Sequence, residues 1–232
     1  MAGIFGHGTF LKKGIAETVI CEIENISGPE VTADEIDVST HCSADQFREY
    51  IRGLKDGGSV TVTGNLDTSD PGQVAIVTDL MTSALADVYK ITFPSGLAAE
   101  WGFSGFVTSF STEAPHDDKV PVEATIKVTG KPSLDIGAST DLTNLVASTG
   151  TFIPAFLGSK YDYVLNVITA TTTITLTPTG AGVITINGNV VASGSASSAI
   201  TLGGAGSITD VVVLAKETGK VAKRYTVAVA RA

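Results

Sequence analysis

Between residues 120 and 129, Val120, Val122, Ala124, Ile126 and Val128 are interleaved with Glu123, Thr125, Lys127 and Thr129. Successive side chains on a strand point to opposite faces, so such a run has one dry face and one wet face. A chain built from this pattern is committed to antiparallel sheets solvated on one side. The same period recurs where Tyr89, Ile91 and Phe93 alternate with Lys90 and Thr92, and Pro94-Ser95-Gly96 then supplies turn chemistry. It recurs again over residues 17–26, where Val19, Cys21 and Ile23 alternate with Ile20, Glu22 and Glu24, and over residues 59–66. Gly102 and Gly105 lie inside an apolar run, where glycine marks a bulge or a close backbone approach. A curved antiparallel sheet is expected.

The connections are less regular. Ser27-Gly28-Pro29 turns the chain and residues 31–38 form a second extended segment. From Thr40 to Gly58, Phe47, Tyr50, Ile51 and Leu54 have helical spacing among Asp45, Arg48, Glu49, Arg52 and Lys55, which predicts a flexible loop or a short amphipathic helix. The helix predicted most strongly covers about 78–87, with Thr78 or Asp79 as its cap and Leu80, Met81, Ala84 and Leu85 on its apolar face. One helix among many strands makes residues 1–135 a β-sandwich or barrel with a helical flank.

Composition changes after Pro132-Ser133-Leu134-Asp135, and residues 136–138 read as a small, weakly structured linker. Residues 139–232 then read as short strands at 161–167, 173–177, 183–186, 199–202, 210–214 and 225–229. Asn187-Gly188 is a two-residue hairpin signal, because both central positions need positive φ. Many short strands with regular turns predict an immunoglobulin-like β-sandwich, so the whole chain is mainly β. The long uncharged stretch at 163–209 is interrupted throughout by Thr, Ser, Gly and Asn, which predicts strands and no transmembrane helix or membrane anchor.

Charge is divided unevenly: residues 1–135 hold 20 of the 24 acids and 9 of the 15 bases, giving net −11 there and +2 in the remainder. Lys12-Lys13 and Lys223-Arg224 are isolated pairs, whereas proteins that hold DNA bring clusters of Lys and Arg to its phosphates. Specific nucleic-acid binding is therefore disfavoured, and an acidic surface suits either solubility or a polyanion that slides past without sticking.

No enzymatic constellation emerges. His7, His41 and His116 are scattered, and His116-Asp117-Asp118 sits in an expected solvent-facing turn. His41 and Cys42 are adjacent and would point to opposite faces of a strand. Gly3, Gly6 and Gly8 have no strand before them, and Gly130-Lys131 is followed by Pro132 where a phosphate loop needs a hydroxyl. No cofactor or metal is expected. Cys21 and Cys42 are the only cysteines and are expected to be reduced and at least partly buried, and the first 14 residues lack the features of a signal peptide.

The segments Tyr89–Gly96 (YKITFPSG), Trp101–Ser109 (WGFSGFVTS) and Ala124–Leu134 (ATIKVTGKPSL) resemble the tail tube proteins of lambda-like bacteriophages in order and spacing. Residues 139–232 are similar to cadherin-like β-sandwich modules of bacterial surface proteins, on Phe152–Phe156, Tyr161-Asp162-Tyr163, Ile184–Gly188 and Lys223–Val227. The first resemblance implies a structural virion protein, assembled in the host cytoplasm. Its copies would form hexameric rings stacked into a non-contractile (siphophage) tail tube. Its partners would be further copies of itself, the tape measure protein and the tail tip and terminator proteins, with double-stranded DNA passing through an acidic lumen unbound. It also places ring-to-ring contacts in an N-terminal arm, residues 2–11 with Ile4, Phe5, Phe10 and Leu11, and in the 40–58 loop with Phe47, Tyr50 and Arg52. The second domain would decorate the exterior, with weak contact to host-surface glycans. The alternative is a two-module adhesin or carbohydrate-binding protein.

Overall fold

The computed structural model describes residues 6–82 and 85–232. The chain divides into two compact units, Met1–Gly96 with Glu100–Leu134, and Leu97–Ala99 with Asp135–Ala232.

The first unit contains β1 (Phe10–Lys13), β2 (Thr18–Ile20), β3 (Ile23–Ser27), β4 (Thr32–Asp37), β5 (Tyr50–Asp56), β6 (Ser59–Asn65), α1 (Pro71–Thr82), β7 (Asp87–Thr92), β8 (Ala99–Thr112) and β9 (Pro121–Ile136). Seven of these strands form one sheet in the order β2-β1-β7-β8-β9-β6-β3. Its two edges, β2 and β3, are consecutive in sequence and joined only by Cys21 and Glu22. Three Cα steps span at most about 11 Å. The sheet must therefore curl until its edges nearly meet, which makes it a half-barrel around Leu11, Val60, Val62, Tyr89, Ile91, Phe103 and Ile126.

The seam is held by α1. Asp70 accepts the Cys21 N–H at 3.1 Å and the Gln73 N–H at 2.9 Å, so one buried carboxylate caps the helix and ties it to the seam. The Gln73 amide donates to the carbonyls of Cys21 and Asn65 at 3.2 and 2.8 Å and accepts the Asp67 N–H at 3.0 Å. The chains approach closely: a Cβ on Gly64 would lie 2.1 Å from the Glu22 carbonyl oxygen, and one on Gly72 2.6 Å from that of Val19.

The helix expected at about 78–87 lies at Pro71–Thr82 instead. Proline is favoured at a first helical position, where its missing N–H is needed by nothing, and Asp70 is the cap. Thr78 is in the helix interior, its hydroxyl donating to the Val74 carbonyl. Ile76 and Leu80 face the core, whereas Met81 and Leu85 are exposed. Ala84 lies outside the described residues.

Outside the barrel, Glu17 bridges Lys90 at 2.6 Å and Lys12 at 3.3 Å. Burial pushes its carboxyl up, but the two ammonium groups outweigh this and hold it below its ordinary 4.5. A lowered carboxyl contributes stability above its unfolded pKa and loses it as pH falls. Glu17→Gln should thus cost about 1 kcal/mol at neutral pH. The gap to the parent in thermal unfolding should close as the pH is taken below 4.5.

The second unit contains β10 (Asn144–Ala147), β11 (Thr151–Ile153), β12 (Asp162–Val167), β13 (Thr173–Ile174), β14 (Leu176–Thr179), β15 (Val183–Ile186), β16 (Asn189–Val191), β17 (Ile200–Thr201), β18 (Ile208–Lys216) and β19 (Lys223–Arg231). A six-stranded sheet, β11-β12-β19-β18-β15-β16, opposes the ladders β10-β14 and β13-β17 across a core that includes Leu145, Leu165, Leu176, Val213 and Val227. Asn187 and Gly188 adopt φ of 47° and 82° in the β15–β16 turn, as expected. Residues 136–138 are not a loose linker. Ile136 donates its N–H to Gly219, Gly137 donates to Ala98, and the Gly137 carbonyl accepts from Val221.

Tyr225 is fully buried, its hydroxyl accepting the Leu142 N–H at 2.8 Å and donating to the Gly158 carbonyl at 3.0 Å. Tyr225→Phe leaves that N–H without a partner, and should destabilise this unit by about 1–3 kcal/mol. Faster amide exchange in β18 and β19 than in the parent would register the loss.

Candidate assembly surfaces

Among the described residues, β4 and β5 form a two-stranded ribbon that belongs to no larger sheet. Ile36 lies opposite Ile51, Asp37 opposite Tyr50 and Glu35 opposite Arg52, with a register shift between Ala33 and Glu35. None of the ribbon's strand residues is buried. An isolated two-stranded ribbon is at best marginally stable in water. This one nevertheless exposes Ile36, Val38, Phe47, Tyr50, Ile51 and Leu54, with Phe47 at 74% and Leu54 at 84%. Apolar side chains held out together on a protruding ribbon mark an interaction surface.

The expected loop or helix at 40–58 is thus half of a β-hairpin, with a short 3₁₀ turn at Ala44–Gln46. Phe47 follows that turn, and Tyr50 and Arg52 lie on β5, where both are exposed. Helical spacing misleads here because a ribbon wet on both faces has no dry side, so nothing imposes alternation on its apolar residues. Ile36 and Val38 are members of the patch that spacing alone does not indicate; their signal is the extended run that precedes Ser39.

Of the expected arm residues, Ile4 and Phe5 lie outside the described residues. Phe10 opens β1 and is 48% exposed. Leu11 is a correction: it pairs with Ile20 and Ile91 and is wholly buried in the barrel core, because β1 is an inner strand with neighbours on both sides. Leu11 is therefore not available as an exposed arm residue.

Among the described residues, no group of three or more His, Cys, Asp and Glu could hold a metal, and no helix is long and apolar enough to cross a membrane. His116 is exposed beside Asp117. Cys21 and Cys42 are both free, and both are exposed where partial burial was expected. In the second unit a cavity of about 270 Å³ is lined by Asn187, Asn189, Ser198 and Thr201 among others, with no charged side chain.

A family model described as lambda phage tail tube protein matches residues 7–135, and one described as a cadherin-like beta sandwich domain matches 137–232. No curated protein matches the chain. Similar solved structures include the tail of an empty gene transfer agent particle, 17% identical over 59% of this chain and 100% of that one, with a TM-score of 0.47. Another is the sheath-tube complex of an extracellular contractile injection system, 15% identical over 58% of this chain and 92% of that one, TM-score 0.47. A third is the tube-terminating cap of the anti-feeding prophage, 12% identical over 59% and 93%, TM-score 0.48.

Proposed function

Because the chain belongs to the lambda phage tail tube protein family, as a structural virion component and not an enzyme, we propose that its copies close into hexameric rings and stack into the tube of a non-contractile tail. The observation that carries this reading is the β4–β5 ribbon, which offers six exposed apolar side chains and, among the described residues, pairs with no further strand. A ring stacked on the next would cover it. Family membership supports the sixfold ring.

In this reading Phe47, Tyr50 and Arg52 on the ribbon, with Ile4, Phe5 and Phe10 of the arm, make the axial contacts. The lumen conducts the tape measure protein and then genomic DNA. The net acidity of residues 1–135 supports passage without adhesion, since like charge repels the phosphates. Residues 139–232 decorate the exterior and are dispensable for the tube; a chain ending at Leu134 should still polymerise. Tail tip and terminator proteins cap the two ends.

Negative-stain electron microscopy of the purified protein over a concentration series tests the proposal. Hollow tubes or stacked rings are expected. A monomer that persists at every concentration and also fails to elongate isolated tail tips would overturn it and favour an adhesin or carbohydrate-binding role.

A further inference from the structure

The two longest strands of the second unit, β18 and β19, bury alternate residues yet do not alternate in polarity. Val211-Val212-Val213-Leu214-Ala215 and Val227-Ala228-Val229-Ala230 are unbroken apolar runs. A strand with one dry face alternates, whereas a continuous apolar run is the pattern of a strand covered on both faces. The subunit buries only one. Val211, Val213, Val227 and Val229 lie in its core, so Val212, Leu214, Ala228 and Ala230 between them point to the other side of the sheet. On that side Ala228 is paired with Val164 of β12, Val164 in turn with Ile153 of β11, and Ala230 with Ile208 of β18. Ile153, Val164 and Ile208 are exposed.

We propose that this outer face packs against the same face of a second copy of the chain. Strands lie about 4.8 Å apart and rise about 3.3 Å per residue, so the six-stranded sheet covers on the order of 500 Å² in plan, before the relief of its side chains is counted. That approaches the ~800 Å² which each partner contributes to a stable interface. The small side chains of Ala228 and Ala230 keep its centre flat, which suits a second sheet packed face to face about 10 Å away. The face also carries both signs of charge, Asp162 and Asp210 with Arg224 and Lys216. A like face is matched to it where a wholly acidic or wholly basic partner is not. Among the described residues of this unit the exposed large apolar side chains are all aliphatic, so the face offers no aromatic ring on which a sugar could stack. A self-matched pair of this kind closes by itself and needs neither the ring nor the tube.

The test places Val164→Cys and, as a control, Val146→Cys singly in the full chain with Cys21→Ser and Cys42→Ser, since both native thiols are exposed. Val146 is 49% exposed on β10, in the ladder across the sandwich from this sheet. The rate of maleimide labelling is measured from about 1 µM to about 1 mM protein, a range that spans the micromolar affinity of a weak interface of this size. The thiol at 164 should slow by about tenfold or more as concentration rises, by mass action, and recover on dilution, while the thiol at 146 keeps its rate. Adding Ile208→Arg, at a position 68% exposed and so outside the unit's own core, should abolish the protection at 164. Equal rates at 164 and 146 at every concentration would overturn the proposal, and so would protection at 164 that Ile208→Arg leaves intact. Electron microscopy of the same samples keeps this result apart from the tube. Tubes with a fully reactive thiol at 164 would overturn the proposal and leave the tube reading standing, whereas a protected thiol without tubes at any concentration would support the pairing and count against the tube.

Discussion

A chain carrying Phe47→Ala, Tyr50→Ala and Leu54→Ala should remain a folded subunit and form no tubes. The three side chains are 74%, 51% and 84% exposed, so they contribute little to the subunit's own stability, and its thermal unfolding should move by no more than about 0.5 kcal/mol. Covered by a neighbouring ring, each would remove apolar area worth about 2 kcal/mol. Losing all three weakens each ring-to-ring contact by about 6 kcal/mol, roughly four orders of magnitude in its association constant. Sedimentation and electron microscopy at concentrations where the parent elongates would read the difference. Normal tubes from the triple variant would remove the ribbon from the interface. An unfolded variant would show that the ribbon packs on its own unit, contrary to its exposure.

The seam should be the most sensitive point of the half-barrel. Gln73→Leu preserves bulk but leaves the carbonyls of Cys21 and Asn65 and the N–H of Asp67 without the partner each now has. These backbone groups are only partly buried, so water can take up some of the lost hydrogen bonds, and a loss of about 1–2 kcal/mol in all is expected. Gly72→Ala should be comparable. Its new methyl would meet the Val19 carbonyl oxygen at 2.6 Å and the Ile20 Cα at 2.7 Å, and neither is a flexible side-chain end. Val74→Ala, one residue on but 49% exposed, is the control and should change stability by less than about 0.5 kcal/mol. Urea unfolding followed through Trp101, the only tryptophan and part of this unit, measures all three. A Gln73→Leu chain as stable as the parent would mean that the seam closes without its polar staple.

The sequence motifs that resemble the tube family owe their legibility to packing. Tyr89 and Phe103 stack with ring centroids 5.6 Å apart, and Ile91, Val107, Ala124 and Ile126 surround them in the core. A buried face forces alternation on every strand that contributes to it, which is why residues 89–93 and 120–128 can be read directly. In the second unit the same rule applies to Tyr163, Leu165 and Val167, and to Val211 and Val213. Three short strands there, at 144–147, 151–153 and 189–191, are too brief to show a period.

Local patterning by itself determined the class of this chain: mainly β, with a core face written into each long strand and a hairpin at Asn187-Gly188. It also set the charge contrast between the first 135 residues and the rest. Only the tertiary structure decided what lies between those strands. The helix starts at Pro71 because Asp70 finds both the Cys21 and Gln73 N–H groups, and one of these comes from a seam some fifty residues away. Leu11 belongs to the core because β1 is paired on both sides. The ribbon is a ribbon because Ile36 meets Ile51 across it, in a place where no buried face exists to leave its mark on the sequence. Alternation records which residues a subunit buries in itself; a surface kept for other copies is buried only on assembly, and its apolar residues carry no period until then.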